Sequence, residues 1–236
     1  MKNNSRPSFI LLIGSGRVAH HLQFYFQQKN ILFSTWDRSK DFVSLQSLVQ
    51  SSSHILLAIN DSSLTDFIAK NLAQKSLIPT KKIVHFSGAL NIEGAFSAHP
   101  LMSFGPDLYS LEDYEKIHFS ITGADKLSDL IPGLMNPFTK ISEDNKALYH
   151  ALCVMGGNFP ILLWQKMKTG LSELGLPDEA TKIYMEKILE NFNRHGRDAL
   201  TGPLVRKDIV TIQSNLKALS GDSFQAVYSA FVEAYK

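Results

Sequence analysis

The chain has 236 residues, 44% hydrophobic and 19% charged, with a formal net charge of +2. Such a composition can bury a real core, and the length suits one large domain or two small ones. The charge is too small, and the basic residues too dispersed, for a nucleic-acid or anionic-membrane binder. The single cysteine, Cys153, excludes an intrachain disulfide and a Cys-rich zinc site, and it fits a reducing compartment. The start, "MKNNSRPSFILLIGSGR", is basic and then apolar. Its apolar run is too short for a signal peptide and ends in a glycine turn. No run approaches about 18 consecutive apolar residues. The expectation is a cytoplasmic protein with no membrane segment.

In chain order, "FILLIG" (9–14) reads as a buried strand and "RVAHHLQFYFQQKN" (17–30) as a helix. Further strands follow at 31–36, 54–59 and 81–87, with helices at 41–50 and 63–75 between them. Ser62 or Ser63 is placed to cap the last of these helices. Strands apolar on both faces, each followed by a helix, predict a parallel sheet covered on two sides. Strands are expected again at 95–99, 117–123 and 138–142, with a helix near 126–134. From Glu143 the β signal stops. Residues 144–175 have helical spacing, 177–196 begins with proline and acids and ends at glycine, and helical patterns recur near 208–219 and 222–235. The reading is an α/β domain over 1–142, a Rossmann-type parallel sheet, followed by an all-α domain over 143–236.

"GSGRVA" (14–19) has the G-x-G-x-x-G/A form in the context that gives it meaning, after a strand and opening a helix. Gly14 allows the tight turn. Gly16 lets a pyrophosphate approach the backbone, and Ala19 lets helix and strand pack closely. Ser15, Arg17 and Val18 belong to the same turn. The fingerprint expects an acid at the end of the second strand, and Asp37 stands there. A carboxylate there would take the ribose hydroxyls of NAD. Arg38, Ser39 and Lys40 follow at once, and such a cluster suits the 2′-phosphate of NADP. The basic pair backed by a hydroxyl tips the expectation to NADP over NAD. The bland alternative makes Asp37 a turn residue and Arg38 solvated.

With these residues in hand the chain resembles the family with a Rossmann-like N-terminal domain and a C-terminal domain of unknown function 2520, a relative of 6-phosphogluconate dehydrogenase-like and deazaflavin-dependent NADP reductases. The resemblance rests on "GSGRVA" (14–19), "VHFSGAL" (84–90), "AHPLMSF" (98–104), "YHALCVMGGNF" (149–159) and "ALTGPLVRKD" (199–208). It implies a Rossmann domain plus a helical domain, a homodimer formed through the latter, and a cofactor in the cleft between the domains. It implies no substrate. Four positions depart from the pattern. Asn60 stands where the family tends to have proline, and "GGN" replaces a Ser-Asn pair while keeping Asn158. Lys207 replaces a usual glycine. Val154 occupies the place where related reductases carry a lysine general acid.

In an open α/β sheet ligands bind at the carboxyl ends of the strands. Asn60 and Asp61 follow the third strand, beside the expected nicotinamide path. Asp61 also reads as a plain first-turn acid of a helix. Ser87 and Gly88 follow the fourth strand, where a hydroxyl and backbone N–H groups could hold a substrate. His85 lies within that strand and is as consistent with a hydrogen-bonded core histidine as with a catalytic one. His99 precedes Pro100 at a strand end and is the better candidate acid/base. His150 and Asn158 share one helix face. Gly156, Gly157 and Pro160 predict a kink between or beside them, or else close helix packing over the glycines. Thr201, the Gly202 backbone and Arg206 could bind a substrate anion, unless Arg206 and Asp208 merely pair. Adjacent His20 and His21 cannot share a metal, and no metal signature is present. The leading expectation is an NAD(P)-dependent oxidoreductase acting on a small carbonyl or imine substrate, with His99, His150 and Asn158 as catalytic residues. The rival is a dinucleotide-binding or sensing protein without turnover.

Overall fold

The computed structural model describes residues 9–72 and 81–235. The first eight residues of the signal-peptide reading and residues 73–75 of the third expected helix lie outside the described residues. By internal contacts the chain divides into two units, Met1–Pro160 and Ile161–Lys236. The change of rhythm at Glu143 therefore precedes the division, and the first helical turns after it count with the sheet.

The first unit holds a seven-stranded sheet in the order β2-β1-β3-β4-β5-β6-β7. The strands are β1 (Ile10–Ile13), β2 (Phe33–Trp36), β3 (His54–Leu57), β4 (Lys82–His85), β5 (Phe96–Pro100), β6 (Phe119–Thr122) and β7 (Phe138–Lys140). All neighbours are parallel except β5 and β6. Six of the seven strands fall inside segments that the sequence marks as β, and β5 runs one residue past its segment, to Pro100. Crossover helices α1 (Arg17–Gln28), α2 (Phe42–Ser51) and α3 (Asp61–Asn71) join the first four strands.

The doubly apolar strands have the packing their sequence demands. Leu11, Ile13, Ile55, Leu57 and Ile83 face Leu45, Val49, Leu64 and Ile68 of α2 and α3. Leu12, Leu56, Val84 and Ala98 face Ala19, Leu22, Tyr25 and Phe26 of α1 on the other side. A short helix, α4 (Leu111–Lys116), completes that second layer through Tyr114, which stacks on Tyr25 at 5.2 Å. Ser110 caps it by accepting from the Asp113 N–H. Six residues carry too little periodicity to reveal such a helix in advance. The helix expected near 126–134 is a single 3₁₀ turn, Leu127–Asp129, because Pro132 and Gly133 follow within one turn. His21 is a core histidine, bonded to the Tyr114 hydroxyl at 2.6 Å and the Gly105 carbonyl at 2.9 Å. His20 is exposed.

The helical run 143–173 opens with a 3₁₀ turn and α5 (Lys146–Cys153), passes through a π-helical turn at Val154–Asn158, and continues as α6 (Phe159–Glu173). Among the described residues it alone has the length and composition of a membrane-crossing helix. Its first turn, however, is fixed on the sheet by Lys146. The second unit carries the rest of α6, then α7 (Asp178–His195), α8 (Ile209–Ala218) and α9 (Phe224–Ala234). α7 starts behind Pro177 with two acids and ends at Gly196, whose φ of 56° is the left-handed conformation that suits a terminal glycine.

Candidate active site at the carboxyl edge of the sheet

The glycine turn is shaped by two different constraints. Gly14 has φ of 132°, and a Cβ on it would lie 2.1 Å from the Ala58 carbonyl oxygen, so β1 and the end of β3 can meet only over a glycine. At Gly16 a Cβ would touch nothing within 4 Å. Gly16 is the N-cap of α1, with no side chain capping the helix and no acid in its first turn. The orphan N–H groups of that turn thus face open space, the arrangement that accepts a phosphate. Ser15 and Arg17 are exposed beside it, and Val18 packs inward.

A cavity of about 300 Å³ runs from Gly14, Ser15 and Gly16 past Trp36, Asp37 and Arg38 to Asn60. It joins the ends of β1, β2 and β3. Asp37 accepts from the Ser39 N–H at 2.9 Å and from its hydroxyl, and these bonds hold the carboxyl below its usual range. Lys40 donates to the Thr35 carbonyl at 2.7 Å. Arg38 is exposed on the cavity wall, and no hydrogen bond or ion pair ties its side chain among the described residues. Asp37 is therefore turn-forming and cavity-lining at once.

α3 begins at Asp61, two or three residues earlier than a Ser62 or Ser63 cap would place it, so Asn60 is the cap position, though its side chain forms no cap bond. Asp61 accepts from the Ser87 hydroxyl at 2.6 Å. The same hydroxyl accepts from the Ala89 and Leu90 N–H groups at 3.3 and 3.1 Å. Ser87 thus stitches the β4 end to α3, and its hydroxyl is committed internally. Gly88 lies under two imidazoles: a Cβ there would meet His150 Cδ2 at 2.7 Å and His99 Cδ2 at 3.0 Å. The His99 and His150 rings stand nearly perpendicular, 6.0 Å apart. His99 Nδ1 bonds to the Tyr149 hydroxyl at 2.9 Å. Burial, then His150 and Lys146, pull the His99 pKa down to about 4, so the ring is neutral at pH 7. When Tyr149 donates to Nδ1, the proton of His99 sits on Nε2, the nitrogen beside Gly88.

His85 is 1% exposed and accepts from the Ser87 N–H on Nδ1 at 3.2 Å. Burial and Lys146 lower its pKa to about 4. Lys146 was not singled out by sequence reasoning. It is 2% exposed and donates to the Ser87 carbonyl at 3.4 Å. Burial lowers its pKa to about 8, against the opposing pull of Asp61 and Glu143. The sequence carries the alternation of the strands beneath it, and their pairing turns that alternation into a site. In "FSAHP" and "FSIT" polar residues alternate with apolar ones, and pairing sets Ser97 opposite Thr122 and His99 opposite Ser120. One face of β5–β6 is thus polar, and the helix on it supplies Lys146 and Tyr149.

Asn158 closes the π-helical turn and is exposed. A π-helical turn stands where the sequence predicts a kink. Packing over Gly156 and Gly157 does not explain them, since a Cβ on either would touch nothing within 4 Å. In the second unit Thr201 lines two cavities of about 550 and 760 Å³, and Arg206 lines neither. Asp208 caps α8 by accepting from the Thr211 N–H at 3.0 Å. That bond, more than Arg206, holds its carboxyl below the usual range. Lys207 has φ of 54°, the left-handed conformation its glycine counterparts adopt without strain. Among the described residues no cluster of three metal-ligating side chains occurs. The geometry therefore gathers Asp61, Ser87, Gly88, His99 and His150 into one cluster, which joins the glycine-turn cavity in sequence through Asp61 and its neighbour Asn60. Asp37, Arg38 and Asn60 form the wall of that cavity, and Ser39 is not in its lining but donates to Asp37.

Comparison with known proteins adds a family and a fold. The family model described as Domain of unknown function (DUF2520) matches residues 117–235, just over half of the chain. No curated protein matches. Among solved structures, a Bacteroides fragilis protein named as an NADP oxidoreductase superposes with a TM-score of 0.71 at 19% identity, covering 97% of each chain. An imine reductase variant from Myxococcus stipitatus, in complex with NAD+, gives 0.57 at 18% identity, over 98% of this chain and 95% of that one. A reductive aminase from Aspergillus terreus, bound to NADPH and ethyl levulinate, gives 0.64 at 10% identity, over 97% and 93%. These likenesses establish the Rossmann-type fold.

Proposed function

The chain belongs to the DUF2520 family, and on that premise we propose that it is an NAD(P)-dependent oxidoreductase acting on a small carbonyl or imine substrate at the carboxyl edge of its sheet. The observation that carries this reading is the uncapped start of α1 behind a glycine turn whose second glycine faces open space. The neighbours named as an NADP oxidoreductase, an imine reductase and a reductive aminase support the reaction class.

A bound nicotinamide would supply or receive the hydride. Gly14, Ser15, Gly16 and the first turn of α1 would hold its pyrophosphate, with Arg17 and Val18 setting that turn. Arg38 is free for a 2′-phosphate, whereas Asp37 is drawn into its own turn by Ser39, which favours NADP over NAD. Asp61, held by Ser87, keeps a negative charge near the substrate. Neutral His99 offers an Nε2–H to the carbonyl oxygen or imine nitrogen over Gly88, acting as a polarising donor and not as an imidazolium acid at pH 7. His150, whose ring meets the same side of Gly88, would deliver the proton, with Asn158 as a further polar group on the same helical run. Thr201 and Arg206 remain candidate substrate ligands from the helical unit. That unit is also proposed to mediate a homodimer, because Ile212 is its only fully buried apolar side chain among the described residues.

Fluorescence titration with NADPH and NADH, followed by turnover assays on keto acids, imines and aldehydes, tests the proposal. Binding of NADPH with turnover of one class is expected. Tight binding without turnover would instead support a sensing protein, and binding of neither nucleotide would refute both. Arg38→Ala should weaken NADPH about tenfold or more while sparing NADH, as loss of a charge-assisted phosphate contact would. Equal effects on the two would reverse the cofactor preference.

A further inference from the structure

Lys146 is the only Lys, Arg, Asp or Glu side chain fully buried among the described residues. An ammonium has three N–H donors, and this one has a single acceptor, the Ser87 carbonyl at a long 3.4 Å. No carboxylate lies within ion-pair distance of it; Asp61 and Glu143 act on it only at longer range. A buried cation so thinly satisfied is costly unless something else completes its shell.

Lys146 lies at the floor of a cavity of about 340 Å³ with His85 and Ser97, both buried. Donors dominate this floor. His85 is neutral and accepts on Nδ1 from Ser87, so its remaining proton is on Nε2. The Ser97 hydroxyl spends its own proton on the Ser87 carbonyl. Two ammonium N–H groups and one imidazole N–H therefore share a small space that wants an acceptor, and a negative one. The rim has the opposite character, since Glu93 and Glu143 are exposed there. A ligand carrying a second negative group would meet these carboxylates.

We propose that this cavity binds a small monocarboxylate, its carboxylate seated on the Lys146 ammonium and the His85 Nε2–H and its body directed toward the Glu93–Glu143 rim. The volume lies in the range of small-ligand pockets. The site needs no dinucleotide, so its test and the test of the reductase reading fail separately.

Isothermal titration of the full chain, without nucleotide, should detect saturable binding of propanoate at pH 7. Succinate should bind about tenfold more weakly, and Lys146→Met should lose propanoate binding by about tenfold or more. Glu143→Gln should narrow the gap between succinate and propanoate, a readout that holds if Lys146→Met fails to fold. Binding should also weaken as pH rises through about 8, where Lys146 loses its charge. The other groups facing the ammonium are His85, His99, Asp61, Glu93 and Glu143, and the two histidines, which titrate near pH 4, do not gain or lose a proton in that range. Absence of saturable binding, equal affinity for succinate, or retention of propanoate by a folded Lys146→Met protein would each overturn the proposal.

Discussion

The sheet unit and the helical unit solve the problem of burial in opposite ways. In the sheet unit two apolar clusters close the faces of one sheet, and side chains such as Leu11, Leu12, Leu56 and Val84 are wholly withdrawn from solvent. In the helical unit Ile212 alone among the described apolar side chains is fully buried, while Val210 is 82% and Phe231 51% exposed. Exposed apolar surface on that scale marks an interaction face. The lesson is that the first unit covers both faces of its own sheet and holds the candidate chemistry, whereas the second leaves nearly all its apolar side chains at least partly exposed.

The sharpest test of the sheet unit is its glycine turn. Gly14→Ala forces a Cβ into the Ala58 carbonyl at an unfavourable φ and should cost on the order of 3 kcal/mol in denaturant unfolding. Gly16→Ala, with open space around it, should leave stability within about 0.5 kcal/mol while cutting nucleotide affinity. Equal destabilisation by the two would break the distinction between a packing glycine and a binding glycine.

Acid should act on the sheet unit through His85 and His99. Both have a folded pKa near 4, below the ordinary value of 6.5, so the unfolded chain binds more protons between those limits. Stability is then complete above about pH 6.5 and is lost as pH falls toward 4, by a few kcal/mol for the pair. Replacing both rings with Gln should flatten unfolding curves across that window; an unchanged slope would contradict buried, neutral histidines.

The homodimer proposed for the helical unit makes a different prediction. Its unfolding midpoint should rise with protein concentration, as expected for a folded state tied to association. Val210→Glu should shift the chain toward monomer in sedimentation and abolish the concentration dependence. If the helical unit were self-sufficient, this exposed substitution would stay within about 0.5 kcal/mol at every concentration. The smallest contrast uses two helix caps, Asp41 on α2 and Asp208 on α8. Substitution to Ala should cost about 1 kcal/mol in each case. Only the Asp208 effect should move with concentration.

Much of this was legible in the sequence because it rests on local pattern. Seven short β-rich runs, each bounded by turn residues, mark all seven strands, and the G-x-G turn marks the cavity. What escaped has a common cause. Lys146, after Asp144 and Asn145, carries no local mark of burial; only the pairing of β5 with β6 creates the polar face that buries it. Ser87 reads as a free hydroxyl, yet Asp61, 26 residues earlier, takes its proton. Contacts between distant segments carry no periodicity, and so no local signal.

The loop before α8 illustrates how shape outlasts spelling. Its backbone bonds, from the N–H groups of Arg206, Lys207 and Asp208 to the carbonyls of Gly202, Leu204 and Pro203, demand a left-handed residue at 207. Lysine there tolerates a strain of about 1 kcal/mol that glycine would avoid. The bend is thus held by its backbone bonds with lysine at 207, and that lysine adds a positive charge beside Arg206 in the sequence. A search keyed to glycine would discard this chain, whereas one keyed to the turn would retain it.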